Sequence, residues 1–98
     1  MIDEDTAIKI AIKTGKVIIG SKKSITSIIT NKAQLIIKAA NCPHQISEEL
    51  KYYTKLANVS LHIYKGSSLD LGFVCGKPFM ISTIAIEDAG DSEILKLS

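Results

Sequence analysis

Lys16-Val17-Ile18-Ile19-Gly20-Ser21-Lys22-Lys23-Ser24 decides the fold. Val17, Ile18 and Ile19 are consecutive β-branched residues, the signature of a short buried strand. Gly20 frees the backbone for a tight turn. Ser21 is placed to N-cap a helix whose apolar face is Ile25, Ile28 and Ile29, at the i, i+3, i+4 spacing. The first turn of that helix carries Lys22, Lys23 and the hydroxyl of Ser24. A helix N-terminus already bears roughly half a positive charge and favours acids nearby. Lysines there cost stability unless an anion sits opposite, and free N–H groups beside ammonium groups make a site for a polyanionic backbone. The stretch alone leaves two readings open: an anion site, or a solvated helix start in a lysine-rich chain.

Outward from this stretch, helix and strand alternate. Upstream, Ile8, Ala11 and Ile12 fall on one face of a helix running from Asp5 to Thr14, with Asp3 or Asp5 able to cap it and Gly15 to stop it. Downstream, the second helix ends near Asn31 and Leu35-Ile36-Ile37 forms a second strand. Ala39-Ala40-Asn41-Cys42-Pro43 is the loop after it, and Pro43 suits the start of a helix from His44 to Ala57. The buried stripe of that helix is expected at Ile46, Leu50, Tyr53 and Leu56. A third strand covers Leu61 to Tyr64, and Gly66 turns it. Ser67 or Ser68 caps a short helix bearing Leu69, Gly72 and Phe73, with Asp70 in its first turn. Gly76-Lys77-Pro78-Phe79 leads into a last strand over Met80 to Ile86, followed by a turn at Asp88-Ala89-Gly90-Asp91 and a helical turn over Ser92 to Leu97. This order predicts an α/β fold of one domain, residues 1–98: a three-layer α/β/α sandwich around a four-stranded mixed sheet. The Gly20 turn and the Asn41 loop both follow strands, at the sheet edge that ligands favour in open α/β folds. The Gly76 to Phe79 loop joins them there if the last strand runs antiparallel.

Composition narrows the function. A chain of 98 residues with 46% hydrophobic content is a folded globular domain. The acidic start Met1-Ile2-Asp3-Glu4-Asp5 is unlike a secretory signal, and no apolar run approaches the roughly 18 residues of a membrane span. The expected compartment is the cytoplasm, with no membrane partner. Between Thr6 and Lys38 lie seven lysines and no acid; beyond Lys38, five lysines meet seven acids. A basic block of this kind favours a polyanionic partner. Arginine is absent from the sequence. Nucleic-acid contact would therefore rest on point-charge lysines, backbone groups and shape, without bidentate reading of guanine edges.

Catalytic and metal signatures are missing. Neither a GxSxG elbow nor an HExxH pair occurs. Lys22-Lys23-Ser24 is like the end of a phosphate-binding P-loop, but the glycines that motif requires before its Lys-Ser are absent. Cys42 and Cys75 are too distant for a CxxC pair, and His44 beside Cys42 falls short of a four-ligand metal site. His62 lies mid-strand, facing away from Leu61 and Ile63. The expectation is a non-enzymatic protein without cofactor or metal. Phe79, straight after the Gly-Lys-Pro turn, either stacks an unpaired base beside Lys77 or starts the last strand in the core. Asn41 offers a donor and an acceptor, fit for a base edge or for capping a turn.

Taken together, Gly20-Ser21-Lys22-Lys23-Ser24, Leu35 to Pro43, Glu49-Leu50-Lys51-Tyr52-Tyr53, Leu71-Gly72, Gly76-Lys77-Pro78-Phe79 and Glu87 to Ser92 resemble the archaeal and eukaryotic large-subunit ribosomal protein L thirty-e family, within the wider L seven-Ae group of kink-turn RNA binders. The resemblance runs nearly end to end, and the chain looks more like an archaeal member than a eukaryotic one. It implies an α/β/α sandwich that binds ribosomal RNA at a kink-turn, an internal loop bent sharply beside tandem sheared G·A pairs, as a structural constituent of the large ribosomal subunit. By position, Gly20, Ser21, Lys22 and Lys23 would enter the RNA groove at those pairs. Asn41 would contact the bulge, and Gly76, Lys77, Pro78 and Phe79 would form the third contact, with Phe79 against an unstacked base. The L seven-Ae branch has Asn-Glu where Lys22-Lys23 stand, so the resemblance favours the ribosomal branch. It implies a monomer when free, with other large-subunit components as neighbours on the ribosome. The alternatives are a kink-turn module of another ribonucleoprotein and a small protein–protein adaptor using the same edge.

Overall fold

The computed structural model describes residues 4–92 and 94–97. Helices and strands follow one another as α1 (Glu4–Thr14), β1 (Lys16–Ile19), α2 (Ser21–Ile29), β2 (Leu35–Lys38), α3 (His44–Ala57), β3 (Ser60–Ile63), α4 (Ser68–Val74) and β4 (Thr83–Asp88), closed by a 3-10 turn over Ile94–Leu97. The four strands form one sheet in the order β1-β4-β2-β3. β2 and β3 run parallel, while β4 lies antiparallel between β1 and β2. The sheet is therefore mixed, and with helices on both faces the architecture is the expected three-layer sandwich.

Alternation along the strands divides the core in two. Leu35, Ile37, Ile84 and Ile86 face one side, packing with Ala7, Ile8 and Ala11 of α1, Leu71 of α4 and Ile94. Ile36 and Ala85 face the other, against Ile28 of α2 and Leu50 of α3. Strands covered on both faces read as unbroken apolar runs, which is why Leu35-Ile36-Ile37 shows no polar alternation. All three are fully buried, and truncating any one to alanine would cost about 2–5 kcal/mol.

Several local expectations are corrected. Ser21 is the first residue of α2 and not its cap; Gly20 holds the cap position, with no side-chain cap bond, because the Ser21 hydroxyl reaches Thr83 Oγ1 at 3.4 Å. α2 meets the sheet through Ser24, Ser27 and Ile28, leaving Ile29 59% exposed. Two small residues let the helix approach closely, which rotates Ile29 out. Leu56 is exposed instead of buried, and Ala57 packs against the core cluster that holds Leu50; in α4, Leu69 and Phe73 are exposed and Leu71 takes the buried position. β4 begins at Thr83 and not Met80, since its ends are set by pairing with β1 and β2. Asp3 as a cap lies outside the described residues. His62 turns away from its neighbours as expected, its Nε2 lying 3.2 Å from Glu4 Oε1 on α1. Both cysteines are free thiols, Cys42 half-buried and Cys75 buried. No helix is long and apolar enough to cross a membrane, among the described residues.

Candidate nucleic-acid interface

β1 and β2 both flank β4 and run opposite to it, so the loops that leave them and the loop that enters β4 meet on one rim. Backbone bonds fasten the junction: Gly20 N–H donates to Thr83 O at 3.0 Å, and Ala39 N–H donates to Ser82 O at 2.8 Å. The segment entering β4 is thus held from both sides.

Gly20 has φ +114° and ψ 147°, and an added Cβ would meet nothing within 4 Å. Its requirement is conformational and not steric, because L-residues avoid that region. The first helical bond of α2 runs from Ser24 N–H to Gly20 O at 2.9 Å. The amides of Ser21, Lys22 and Lys23 therefore have no acceptor within the helix. No acid occupies this first turn, and Lys22 and Lys23 are exposed. Beneath them the hydroxyl of Ser24 is fully buried without a hydrogen-bond partner among the described residues.

The third segment projects. Phe79 is 54% exposed and Met80 67%, so Phe79 stands on the rim and not in the core. Its height is set from below, because α4 runs directly against its backbone: a Cβ on Gly72 would lie 2.0 Å from Phe79 O. α4 is itself fixed by a capping box in which Ser67 Oγ accepts from Asp70 N–H and Asp70 accepts from Ser67 N–H. Asn41 links the second loop to this helix, its Oδ1 accepting from Ser68 N–H at 2.7 Å. Of the two uses weighed for Asn41, turn capping engages the oxygen, and the exposed amide NH2 is the end that bond leaves uncommitted.

Gly20, Ser21 and Lys23 on one side and Lys77, Phe79 and Met80 on the other line a single open concavity of about 450 Å³. Lys22 and Lys23 also border a second concavity behind α2, whose floor holds Glu87. The Glu87 carboxylate accepts from Ser27 Oγ at 2.5 Å and lies 3.4 Å from Lys16 Nζ. The Ser27 bond, aided by Lys16, holds its pKa below the ordinary glutamate range against the opposing effect of burial. Gly76, with φ +74°, and the exposed Pro78 complete the loop without lining the 450 Å³ concavity. Sequence reasoning missed Met80, assigned to the strand, and Thr83, whose buried hydroxyl anchors Ser21; neither residue type carries a signal for such a place. The arrangement offers backbone donors, ammonium groups and an exposed aromatic on one edge, and among the described residues no cluster of side chains suits a metal.

The family model for the Ribosomal protein L7Ae/L30e/S12e/Gadd45 family matches residues 4–96. The chain belongs to this family. Among its curated relatives, the protein named large ribosomal subunit protein eL30 of Methanobrevibacter smithii is 50% identical over 97% of this chain and 96% of its own length. The eL30 of Saccharolobus solfataricus is 47% identical over 92% of this chain and 83% of its own. That of Methanothermobacter thermautotrophicus is 42% identical over 98% of both. A solved structure of a protein of unknown function from Bacillus halodurans superposes with a TM-score of 0.85 over 96% of this chain and 93% of that one. At 17% identity that likeness speaks for the fold alone.

Proposed function

We propose that the chain is a non-enzymatic structural component of the large ribosomal subunit that binds ribosomal RNA at a kink-turn and holds it bent. The observation that carries this reading is the rim itself: the strand directions bring three segments distant in sequence to one edge, and two of them, Gly20 to Lys23 and Lys77 to Met80, put lysines, open amides and an exposed phenylalanine around one concavity. Curated relatives named as large-subunit proteins support the ribosomal setting; on this reading the chain works in the cytoplasm among rRNA and other subunit components.

In this reading Gly20, Ser21, Lys22 and Lys23 bring the positive start of α2 into the widened groove at the sheared pairs. Phosphates take the amides and ammonium groups, a sequence-blind attraction. Asn41 offers its amide nitrogen to the bulge. Gly76, Lys77 and Pro78 carry Phe79 against an unstacked base while Lys77 meets its phosphate. The work done is a population shift: a bent conformer is selected because only that conformer fills all three contacts at once. Moving an RNA from one part bent in a hundred to almost fully bent requires about 5.5 kcal/mol of differential binding. Several such contacts together reach that figure, and no single one does. The free protein acts as a monomer.

The test is a titration of a kink-turn duplex beside the same duplex with its G·A pairs replaced by Watson–Crick pairs. Preference for the kink-turn is expected. Equal affinity for both removes the kink-turn claim, and binding to neither points to a protein–protein adaptor using this rim.

A further inference from the structure

A second aromatic stands outside the rim just described. Phe73, in the last turn of α4, is 82% exposed, more than Phe79. It faces an apolar slot of about 330 Å³ between α1 and α4, whose walls include Lys9, Ile10, Lys13, Val74 and Gly76. Lys9 and Lys13 are spaced i, i+4 on α1, which puts them on one side of that helix above the slot. No acid lines it. Asp5 and Asp70 belong to a separate concavity on the other side of Phe73. Gly76 is shared with the loop that carries Phe79, so the slot continues the proposed interface.

We infer that this slot is a second nucleic-acid contact, which takes one unpaired nucleotide with its base on Phe73 and its phosphate between Lys9 and Lys13. An exposed ring beside lysines is the platform on which single-stranded bases stack regardless of sequence. A protein partner fits less well, because lysine is depleted from the cores of protein interfaces and two lysines here border the apolar floor. The slot is an open, largely apolar concavity in which a base can lie against Phe73, and its two lysines carry the charge a phosphate seeks. It would therefore hold single-stranded RNA whether or not the neighbouring rim selects a kink-turn.

The experiment is an NMR titration of the full chain with oligoadenylate, read at the ring of Phe73 and the amides of Lys9, Lys13 and Val74. Phe79 and Lys77 serve as an internal comparison for the rim. Saturating shifts at Phe73 are expected, with a drop of about tenfold in affinity at this slot for Phe73→Ala and a weaker salt dependence for Lys9→Gln with Lys13→Gln. Because Phe73 is largely exposed, Phe73→Ala should keep the wild-type melting temperature, and that is measured alongside. Shifts confined to the rim, or an unchanged response in Phe73→Ala, overturn the inference. A kink-turn duplex titrated in parallel separates the two readings: rim shifts with a silent Phe73 leave the kink-turn proposal standing and remove this one.

Discussion

Gly72→Ala tests the claim that α4 sets the height of Phe79. On helix propensity alone this substitution should stabilise the protein, by about 1 kcal/mol. The tertiary geometry predicts the opposite sign. The new Cβ would sit 2.0 Å from Phe79 O, 3.1 Å from its carbonyl carbon and 3.5 Å from Ile81 N. The first separation is more than an ångström inside ordinary contact, and the obstacle is backbone, which cannot rotate aside like a side-chain tip. Overpacking of a tight core costs about 1–3 kcal/mol; the upper end applies here, and subtracting the favourable propensity leaves a net destabilisation of about 2 kcal/mol. For a domain of this size that lowers the melting temperature by about 8–16 °C. Thermal unfolding followed by far-UV circular dichroism reads it directly. Because relief requires the Phe79 segment to move outward, RNA affinity should fall as well, although Gly72 itself lines no concavity on the rim. A variant as stable as the parent, or more stable, would mean that α4 and the Phe79 loop are not in close contact.

Lys22→Gln or Lys23→Gln should weaken RNA binding and reduce the slope of log K against log salt by roughly 0.7–0.9 for each phosphate that is no longer neutralised; unchanged slopes mean those lysines face only water. Phe79→Ala should cost about 1–3 kcal/mol of RNA affinity with little change in melting temperature, given its exposure, whereas a collapse in stability at retained affinity would return it to the core. Glu87 has a lowered folded-state pKa, so its contribution is fully present above the unfolded-state value and disappears as pH falls through the folded one. Ser27→Ala, which removes the largest cause of that shift, should therefore flatten the decline of stability in acid; a denaturation profile parallel to the parent from neutral to acid pH counts against the pairing. Burial pushes the Cys75 thiol up to about 11, so alkylation at neutral pH should modify the half-buried Cys42 first, and equal rates at both would show that α4 opens readily.

The order of elements was legible because strands covered on both faces and amphipathic helices write different periods into the chain. Leu35-Ile36-Ile37 and the His44 to Ala57 helix appear where their patterns put them. Legibility failed where a partner distant in sequence decided the outcome. Ser21 looks like a cap by type, and Thr83 takes its hydroxyl from sixty-two positions away. Ile29 continues the apolar stripe of α2, but packing through Ser24 and Ser27 sets the phase of the helix. Met80 reads as strand, and only pairing with β1 and β2 shows that the strand starts later. On the rim, local chemistry marked Gly20, Lys22 and Lys23 as candidates and left open whether they meet an anion or only water. The exposure of Phe79 was not legible, because it depends on the close approach of Gly72 to the Phe79 carbonyl.

The interposition of β4 between β1 and β2 bears on the timing of assembly. The strands that lead to Gly20 and to Asn41 do not pair with each other, and within the sheet each is joined to the other only through residues 83–88. During synthesis from the N-terminus, the early segments must wait for the last strand before the sheet can close. On the proposed function, a nascent chain would then lack the formed rim until residues 83–88 had emerged.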